Sequence, residues 1–217
     1  MRFKGIVFDL DGTLLDTLDD IGDAANRTLA AQGFPVHDMD AYRFFVGDGF
    51  RMLISRALPE RKRSEDVIDR CMQMFQEDYG RNWNQKTRPY EKVPEMLHAL
   101  VRRPLKLAVL SNKAHDFTEK MTAALLPRGI FHVVWGHRPG IPRKPHPRGA
   151  FEIARILDVE PSECLFLGDS GVDMQTALAA GMFPVGAAWG FRPAEELYQN
   201  GCRILITDPM AIVDILG

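Results

Sequence analysis

The sequence has few cysteines, and they show no pairing pattern. Its 217 residues contain only Cys71, Cys164 and Cys202, an odd and scattered set without a C-x-x-C pair. A disulfide framework needs an even set, and a zinc site needs closely spaced ligands. We therefore expect free thiols in a reducing compartment, and neither a disulfide-stapled fold nor a zinc site.

The sequence also lacks a long apolar run and a strong charge of either sign. No run approaches the roughly 20 apolar residues of a membrane-spanning helix, and the N-terminus shows no signal-peptide pattern. The formal net charge is −2, and no polybasic patch indicates nucleic acid or a membrane surface. Hydrophobic residues make up 46% and charged residues 26%, which is typical of a globular chain. We expect a cytoplasmic protein that binds neither nucleic acid nor membrane, and composition sets no oligomeric state.

The most informative stretch is Phe8–Asp16, which reads FDLDGTLLD. The short apolar segment Phe3–Phe8 is a candidate buried strand, and Asp9 and Asp11 follow it directly. Two carboxylates so close repel each other, and a hard divalent cation such as Mg²⁺ relieves that repulsion. Gly12 allows a sharp turn that would aim both carboxylates at one point. The alternative is an ordinary polar turn that ends a strand.

The pattern of apolar residues divides the chain into two kinds of segment. Within residues 16–84 the apolar residues are spaced by three and four, which predicts helices. From Val93 onward, short apolar strands alternate with helical segments, which is typical of a parallel sheet with crossover helices. We predict an α/β fold with a Rossmann-like parallel sheet core formed by residues 1–15 and 85–217. An all-helical cap domain, residues 16–84, is inserted into it.

Polar side chains follow three of the predicted strands. They are Asp9 and Asp11 after the first strand, Ser111 and Asn112 after Leu105–Leu110, and Asp169 and Ser170 after Cys164–Leu167. The segment Phe131–Trp135 is predicted as another strand, and Gly136–Pro147 as a loop that carries Lys144. Ligands gather at the carboxyl ends of strands in such sheets, so we expect these distant groups to converge.

The D-x-D-G-T sequence of Asp9–Thr13 resembles the first motif of the haloacid dehalogenase-like (HAD) superfamily, most of whose members are Mg²⁺-dependent phosphatases. The later motifs of that family follow in the same order. They are Ser111 for the second, Lys144-Pro145 for the third and the G-D-S-x-x-D sequence of Gly168–Asp173 for the fourth. The LSNKAHDF segment and Trp189-Gly190 are similar to phosphoglycolate phosphatases. The resemblance spans nearly the whole chain and implies a phosphoric monoester hydrolase.

The resemblance implies a role for each matched residue. Asp9 would attack phosphorus, Asp11 would act as general acid and base, and Lys144 would pair with Asp9 and the phosphate. The implied Mg²⁺ ligands are Asp9, the backbone carbonyl of Asp11, Asp169 and, through water, Asp173. The implied phosphate or substrate contacts are Ser111, Asn112, Gly12 and Thr13. The dehalogenase branch lacks the second Asp of the motif, so Asp11 argues against dehalogenation.

Other interpretations of these residues stay open. Ser111-Asn112 is also a common turn and helix-capping pair, and Asp173 starts a helix, where the dipole favours a carboxylate. A phosphosugar mutase similar to β-phosphoglucomutase has the same core, although Trp189-Gly190 favours hydrolysis. A receiver domain also phosphorylates an aspartate, but it is shorter and lacks both D-x-D-G-T and the helical insertion.

The cap domain carries a second, weaker likeness. Gly47, Gly49 and Arg56 resemble the cap segment V-G-x-G of phosphoglycolate phosphatases and the arginine that follows it. Backbone amides at such a helix start can bind an anion, although a plain helix start is the alternative. Arg43 and Arg51 are further candidates for binding a substrate carboxylate. We expect the cap to exclude water and to select a small phosphorylated metabolite.

Overall fold

A computed structural model of the protein describes residues 3–216. The chain forms two compact units. One is built from the residues up to Leu15 and from Pro89 onward, and the other, the inserted unit, is Asp16–Arg88. None of the helices within residues 3–216 combines the length and the apolarity that crossing a bilayer requires.

The first unit is built on a six-stranded sheet whose neighbouring strands are parallel. Its strands are β1 (Gly5–Phe8), β4 (Lys106–Ala114), β5 (Val133–His137), β6 (Cys164–Gly168), β7 (Phe183–Ala187) and β8 (Ile204–Ile206). A separate two-stranded sheet is formed by β2 (Leu15–Asp16) and β3 (Arg88–Pro89). The order in the large sheet is β5-β4-β1-β6-β7-β8. The strand order therefore runs outward from β1 in both directions, which is the arrangement that opens a crevice at the carboxyl end of β1.

Helices cover this sheet and close its core. They are α5 (Val93–Val101), α6 (His115–Leu125), α7 (Arg148–Leu157), α8 (Gly171–Ala179), α9 (Ala194–Gln199) and α10 (Ile212–Ile215). A buried apolar cluster joins Val7 and Phe166 of the sheet to Ile153 of α7 and Ala177 of α8. Burial of such side chains contributes about 1.5–3 kcal/mol each, so the sheet's interior provides a rigid base for its polar edge.

The inserted unit is helical. It contains α1 (Leu18–Ala31), α2 (Met39–Phe45), α3 (Phe50–Ala57) and α4 (Glu65–Asn82), with a short 3₁₀ turn at Glu60–Lys62. Its interior is rich in aromatic rings: Phe50 lies edge-on to Phe75 and Tyr79, which stack on each other. The α/β fold with a Rossmann-like parallel sheet and an inserted helical cap is therefore confirmed.

Two predicted strands have different ends in the structure. The segment Phe131–Trp135 was the predicted strand, but β5 pairs Val133 with Ala108 and continues to His137. The predicted loop therefore begins two residues too early. Strand β4 likewise runs on to Ala114, beyond the predicted end at residue 110. This extension matters because it places the polar residues 111–113 on an extended strand rather than in a turn.

Candidate active site

Asp9 lies at the carboxyl end of β1, where the sheet fixes its backbone. Its N–H donates to the carbonyl of Leu167 in β6 at 2.9 Å. Its Oδ1 accepts a hydrogen bond from the N–H of Leu10 at 2.7 Å and lies 2.8 Å from the Nζ of Lys144. Burial, together with repulsion from Asp173, raises the pKa of Asp9 well above its usual range, although Lys144 opposes the rise. Asp9 is therefore a buried carboxylate that needs positive charge beside it.

Lys144 supplies part of that charge. Its Nζ lies 2.6 Å from Oδ1 of Asp173 and 2.8 Å from Oδ1 of Asp9, and its side chain is only 3% exposed. Burial alone would lower the pKa of Lys144, but the carboxylates of Asp173 and Asp9 outweigh it and raise the pKa. Asn112 holds the lysine's backbone, accepting from its N–H at 2.8 Å and donating to its carbonyl at 3.0 Å. The loop after β5 is thereby tied to the end of β4.

Asp169 follows β6 and is held by two donors. Its Oδ2 accepts from the N–H of Phe191 at 2.7 Å, and its Oδ1 accepts from the hydroxyl of Thr13 at 3.2 Å. Burial and repulsion from Asp173 raise the pKa of Asp169 to about 7, and the two donors only partly offset this. The side chain is thus fixed in place while its charge is disfavoured.

Asp173 has the helix-start role that the sequence allows, while its role at a metal through water stays a prediction. Its Oδ2 accepts from the N–H of Ser170 at 3.1 Å and from its hydroxyl at 2.6 Å, which completes a capping box at the start of α8. Its Oδ1 remains for Lys144. One carboxylate therefore stabilises the helix end and also joins the charged group.

The carboxylates of Asp9, Asp169 and Asp173 form a group that fits a divalent cation. Each offers one oxygen, these oxygens lie within 4.8 Å of one another, and all three residues are buried. Lys144 pairs with Asp9 and Asp173, and burial, together with repulsion from Asp173, raises the pKa of Asp9 and of Asp169. Hard carboxylate oxygens are the ligands that Mg²⁺ prefers. The donor set therefore suits Mg²⁺.

Two glycines allow the segments around this group to approach closely. A Cβ at Gly190 would lie 2.2 Å from Cβ of Asp169 and 2.4 Å from the carbonyl oxygen of Gly12. Gly12 has a φ of +85°, and a Cβ there would lie 2.2 Å from Oδ2 of Asp169. Any side chain at these positions would therefore push Asp169 out of place.

Asp11 lies apart from the group of three carboxylates. Its two oxygens lie 3.0 and 3.2 Å from Nζ of Lys113, whose side chain is fully buried. Lys113 is a site residue that sequence reasoning missed. No local pattern marks it, because its burial depends on the extension of β4 beyond residue 110.

The other predicted phosphate contacts lie beside this group. The hydroxyl of Ser111 is buried and accepts from the N–H of Lys113 at 3.2 Å. Trp189 donates from its ring Nε1 to the carbonyl of Thr13 at 3.0 Å, and the N–H of Gly12 donates to the carbonyl of Leu15 at 2.9 Å. Contacts of Ser111, Asn112, Gly12 and Thr13 with a phosphate stay predictions.

Within the inserted unit, the three candidate arginines contact acidic residues. Arg56 pairs with Asp48 and donates to the carbonyl of Phe45 at 3.1 Å, so it braces the glycine-containing turn before α3. Arg51 pairs with Glu65 and Asp69, and Arg43 lies 3.4 Å from Asp40. Gly49 precedes α3 with a φ of +87°. Their role in substrate selection stays a prediction.

Comparisons with known proteins agree with this geometry. Residues 6–187 match the family model described as haloacid dehalogenase-like hydrolase. A phosphoglycolate phosphatase of Mesorhizobium japonicum is 37% identical over 188 residues, covering 86% of this chain and 83% of that protein. A phosphoglycolate phosphatase of Psychrobacter arcticus is 30% identical over 217 residues, covering 97% and 94%.

Solved structures give the same result for the fold. A crystal structure from Lactobacillus delbrueckii subsp. bulgaricus superposes with a TM-score of 0.94 at 27% identity, covering 100% of this chain and 99% of that one. The matched family region contains Asp9, which follows β1, Lys144 and the start of α8. The resemblance inferred from the motifs is thus confirmed: the chain belongs to the haloacid dehalogenase-like hydrolase family, with similarity to its phosphoglycolate phosphatases, and is an enzyme of the phosphoric monoester hydrolase class.

Proposed function

We propose that this enzyme hydrolyses a small phosphomonoester in two steps, through an aspartyl-phosphate on Asp9 and with the help of Mg²⁺. Phosphoglycolate is the substrate we propose, because the relatives cited above are phosphoglycolate phosphatases. The observation that supports the proposal most is the position of Asp9, whose carboxylate lies 2.8 Å from Lys144 at the end of the central strand. A nucleophile and a cation adjacent at the crevice of a parallel sheet suit phosphoryl transfer.

In the first proposed step, an oxygen of Asp9 attacks phosphorus. The new phosphorus–oxygen bond forms as the bond to the leaving alcohol oxygen breaks, and the carboxyl of Asp11 gives that oxygen its proton. The ammonium of Lys144 offsets the charge that builds up between the phosphate and Asp9. Ser111, Asn112 and the turn at Gly12 and Thr13 bind and orient the phosphate.

In the second proposed step, water releases the phosphate. The carboxylate of Asp11, left ionised by the first step, takes a proton from a water molecule as its oxygen bonds to phosphorus. The bond between phosphorus and Asp9 breaks, and the phosphoryl group that came from the substrate leaves as inorganic phosphate. Asp9 and Asp11 return to their starting protonation states, and splitting the displacement in two makes each step easier.

Mg²⁺ would be held by Asp9, the backbone carbonyl of Asp11, Asp169 and Asp173. When bound, it would neutralise charge on the phosphate oxygens and so reduce their repulsion by the carboxylates. The three convergent carboxylate oxygens support this choice of cation, because Mg²⁺ prefers hard oxygen ligands.

The proposal is tested by measuring phosphate release from a panel of phosphorylated metabolites with Mg²⁺ and with EDTA. The panel contains phosphoglycolate, p-nitrophenyl phosphate, pyrophosphate and small sugar phosphates. We expect Mg²⁺-dependent release from phosphoglycolate and p-nitrophenyl phosphate, and none from Asp9→Asn. An Asp9→Asn protein as active as the wild type would contradict the nucleophile, and full activity in EDTA would contradict the metal.

The same assay separates hydrolysis from transfer within a sugar. Incubation with a hexose 1-phosphate is followed for both inorganic phosphate and the 6-phosphate. Formation of the 6-phosphate without phosphate release would identify a phosphosugar mutase instead. The cytoplasmic location and the absence of nucleic-acid and membrane partners stay predictions.

A further inference from the structure

We propose that Lys113 is a positioning residue for proton transfer: its ammonium holds the carboxyl oxygens of Asp11 in the orientation from which the protonated group gives its proton to the leaving oxygen and the ionised group then takes one from water. This inference rests on the proposed function, because it concerns the acid and base of the same reaction. Lys113 itself neither gains nor loses a proton in either step.

The contact between the two side chains is short and shielded from water. Nζ of Lys113 lies 3.0 Å from Oδ1 and 3.2 Å from Oδ2 of Asp11. The side chain of Lys113 is 0% exposed, whereas that of Asp11 is 12% exposed. The lysine therefore approaches the carboxylate from the protein side and leaves a small part of Asp11 open for a reacting group.

Hydrogen bonds on both sides of Lys113 hold its backbone in place. Its N–H donates to the hydroxyl of Ser111 at 3.2 Å, and its carbonyl accepts from the hydroxyl of Thr118 at 3.4 Å. It lies in β4, next to the last residue of that strand. Because a lysine side chain is flexible, holding its backbone N–H and carbonyl restricts the positions that the ammonium can reach.

The two buried lysines of the site contact different carboxylates. Lys144 contacts Asp9 and Asp173, which belong to the proposed nucleophile and metal group. Lys113 contacts Asp11, which lies outside that group of three carboxylates. Loss of Lys144 should therefore affect every substrate, whereas loss of Lys113 should affect the reactions that need a proton delivered.

The leaving group provides a readout that a merely structural role would not change. An alkoxide is a strong base and leaves only with a proton, whereas p-nitrophenolate leaves without one. In Lys113→Met, we expect kcat/KM for phosphoglycolate to fall about 100-fold, the lower end of what general acid catalysis contributes. We expect kcat/KM for p-nitrophenyl phosphate to change less than about threefold. Lys106→Met, an exposed lysine of the same strand, is the matched control and should change neither.

A double-mutant comparison tests whether Lys113 acts through Asp11. Asparagine cannot transfer the proton, so Asp11→Asn alone should already lower kcat/KM for phosphoglycolate selectively. Adding Lys113→Met to Asp11→Asn should then change kcat/KM for either substrate less than about threefold. The double variant also removes both members of the buried ion pair, so it serves where Lys113→Met alone does not fold.

The outcomes separate this inference from the proposed function. A wild-type protein that releases phosphate from neither substrate contradicts the proposed function. An active wild type whose Lys113→Met variant loses activity equally on both substrates overturns the positioning role and indicates direct phosphate binding. A further tenfold loss on adding Lys113→Met to Asp11→Asn overturns it as well. A selective loss on phosphoglycolate, absent from the Asp11→Asn background, supports it.

Discussion

The two units of the chain place their charged residues differently. In the sheet unit, Lys144, Asp9 and Asp173 meet with almost no exposure to water. In the inserted unit, Arg27 pairs with Asp78 through side chains that are 48% and 26% exposed. Exposed pairs contribute about 0.2–1 kcal/mol, whereas buried charges lose hydration that their partners only partly restore. Buried charge in the sheet unit is thus poorly explained by stability and well explained by chemistry.

The largest difference between the units should appear when one cation is removed from each. Lys144→Met leaves three buried carboxylates without their ammonium, so we expect phosphate release to fall on the order of 10³-fold. In EDTA we expect the free energy of unfolding to fall by about 3–5 kcal/mol. Arg27→Met in the inserted unit should lower it by about 0.2–1 kcal/mol and leave activity unchanged. Urea unfolding measures the stability of the two variants, and phosphate release measures their activity. Equal losses of stability in Lys144→Met and Arg27→Met would contradict the difference between the two units.

The close packing around Asp169 should be nearly as sensitive. In Gly190→Ala, the new Cβ would lie 2.2 Å from Cβ of Asp169, so the chain must shift. We expect the free energy of unfolding to fall by about 3 kcal/mol, the upper end for overpacking, together with loss of Mg²⁺-dependent activity. Calorimetric titration with Mg²⁺ and urea unfolding provide the measurements. Wild-type Mg²⁺ affinity in Gly190→Ala would show that the close approach of Gly190 to Asp169 is not required for metal binding.

The charged group should also make stability depend on pH when no metal is bound. The pKa of Asp169 is about 7 in the folded protein against an ordinary value of 3.8, so between pH 4 and 7 the folded state binds more protons than the unfolded state. In EDTA we therefore expect the free energy of unfolding to fall as pH rises, by about 2 kcal/mol between pH 5 and 7.

Mg²⁺ should reverse this trend, because it binds the ionised carboxylates. We expect Mg²⁺ to raise the midpoint of thermal unfolding more at pH 8 than at pH 5. Asp169→Asn, which cannot ionise, is the matched control and should weaken the pH dependence in EDTA, leaving the part that Asp9 contributes. An equal Mg²⁺ effect at both pH values would contradict the charge imbalance.

The smallest expected effect is a gain in the inserted unit. Gly80 lies in α4, and a Cβ there would meet nothing within 4 Å. Because glycine weakens a helix interior, Gly80→Ala should raise the free energy of unfolding by about 0.5–1 kcal/mol with unchanged activity. It is the counterpart of Gly190→Ala: the same added methyl group, with opposite effects in the two units. If Gly80→Ala lowered the free energy of unfolding instead, the opposite effects expected of the two glycine variants would be contradicted.

Much of the fold was predictable because the sheet unit follows general rules. An apolar run followed by Asp9 and Asp11 predicts a buried strand with a polar end. The alternation of strands and helices predicts that Lys144 and Asp169 come close to Asp9, and the structure brings them together. These inferences depend only on periodicity and on the geometry of parallel sheets, which local sequence specifies well.

The features that were missed depend on tertiary contacts. Lys113 resembles an ordinary surface lysine in the sequence, and only the extension of β4 buries it beside Asp11. The end of β5 is set by its pairing with β4, which no local pattern reveals.

The hydrogen bond between Thr13 and Asp169 joins positions 156 residues apart. During synthesis on the ribosome, the segment with Asp9 and Thr13 emerges before residues 144–173 and must wait for them before Lys144, Asp169 and Asp173 exist. An interrupted translation product that ends before Lys144 therefore carries Asp9 without the ammonium of Lys144 and β1 without its neighbour β6. Such fragments would be inert and open to proteolysis, and the catalytic group would be complete only after residues 144–173 have emerged.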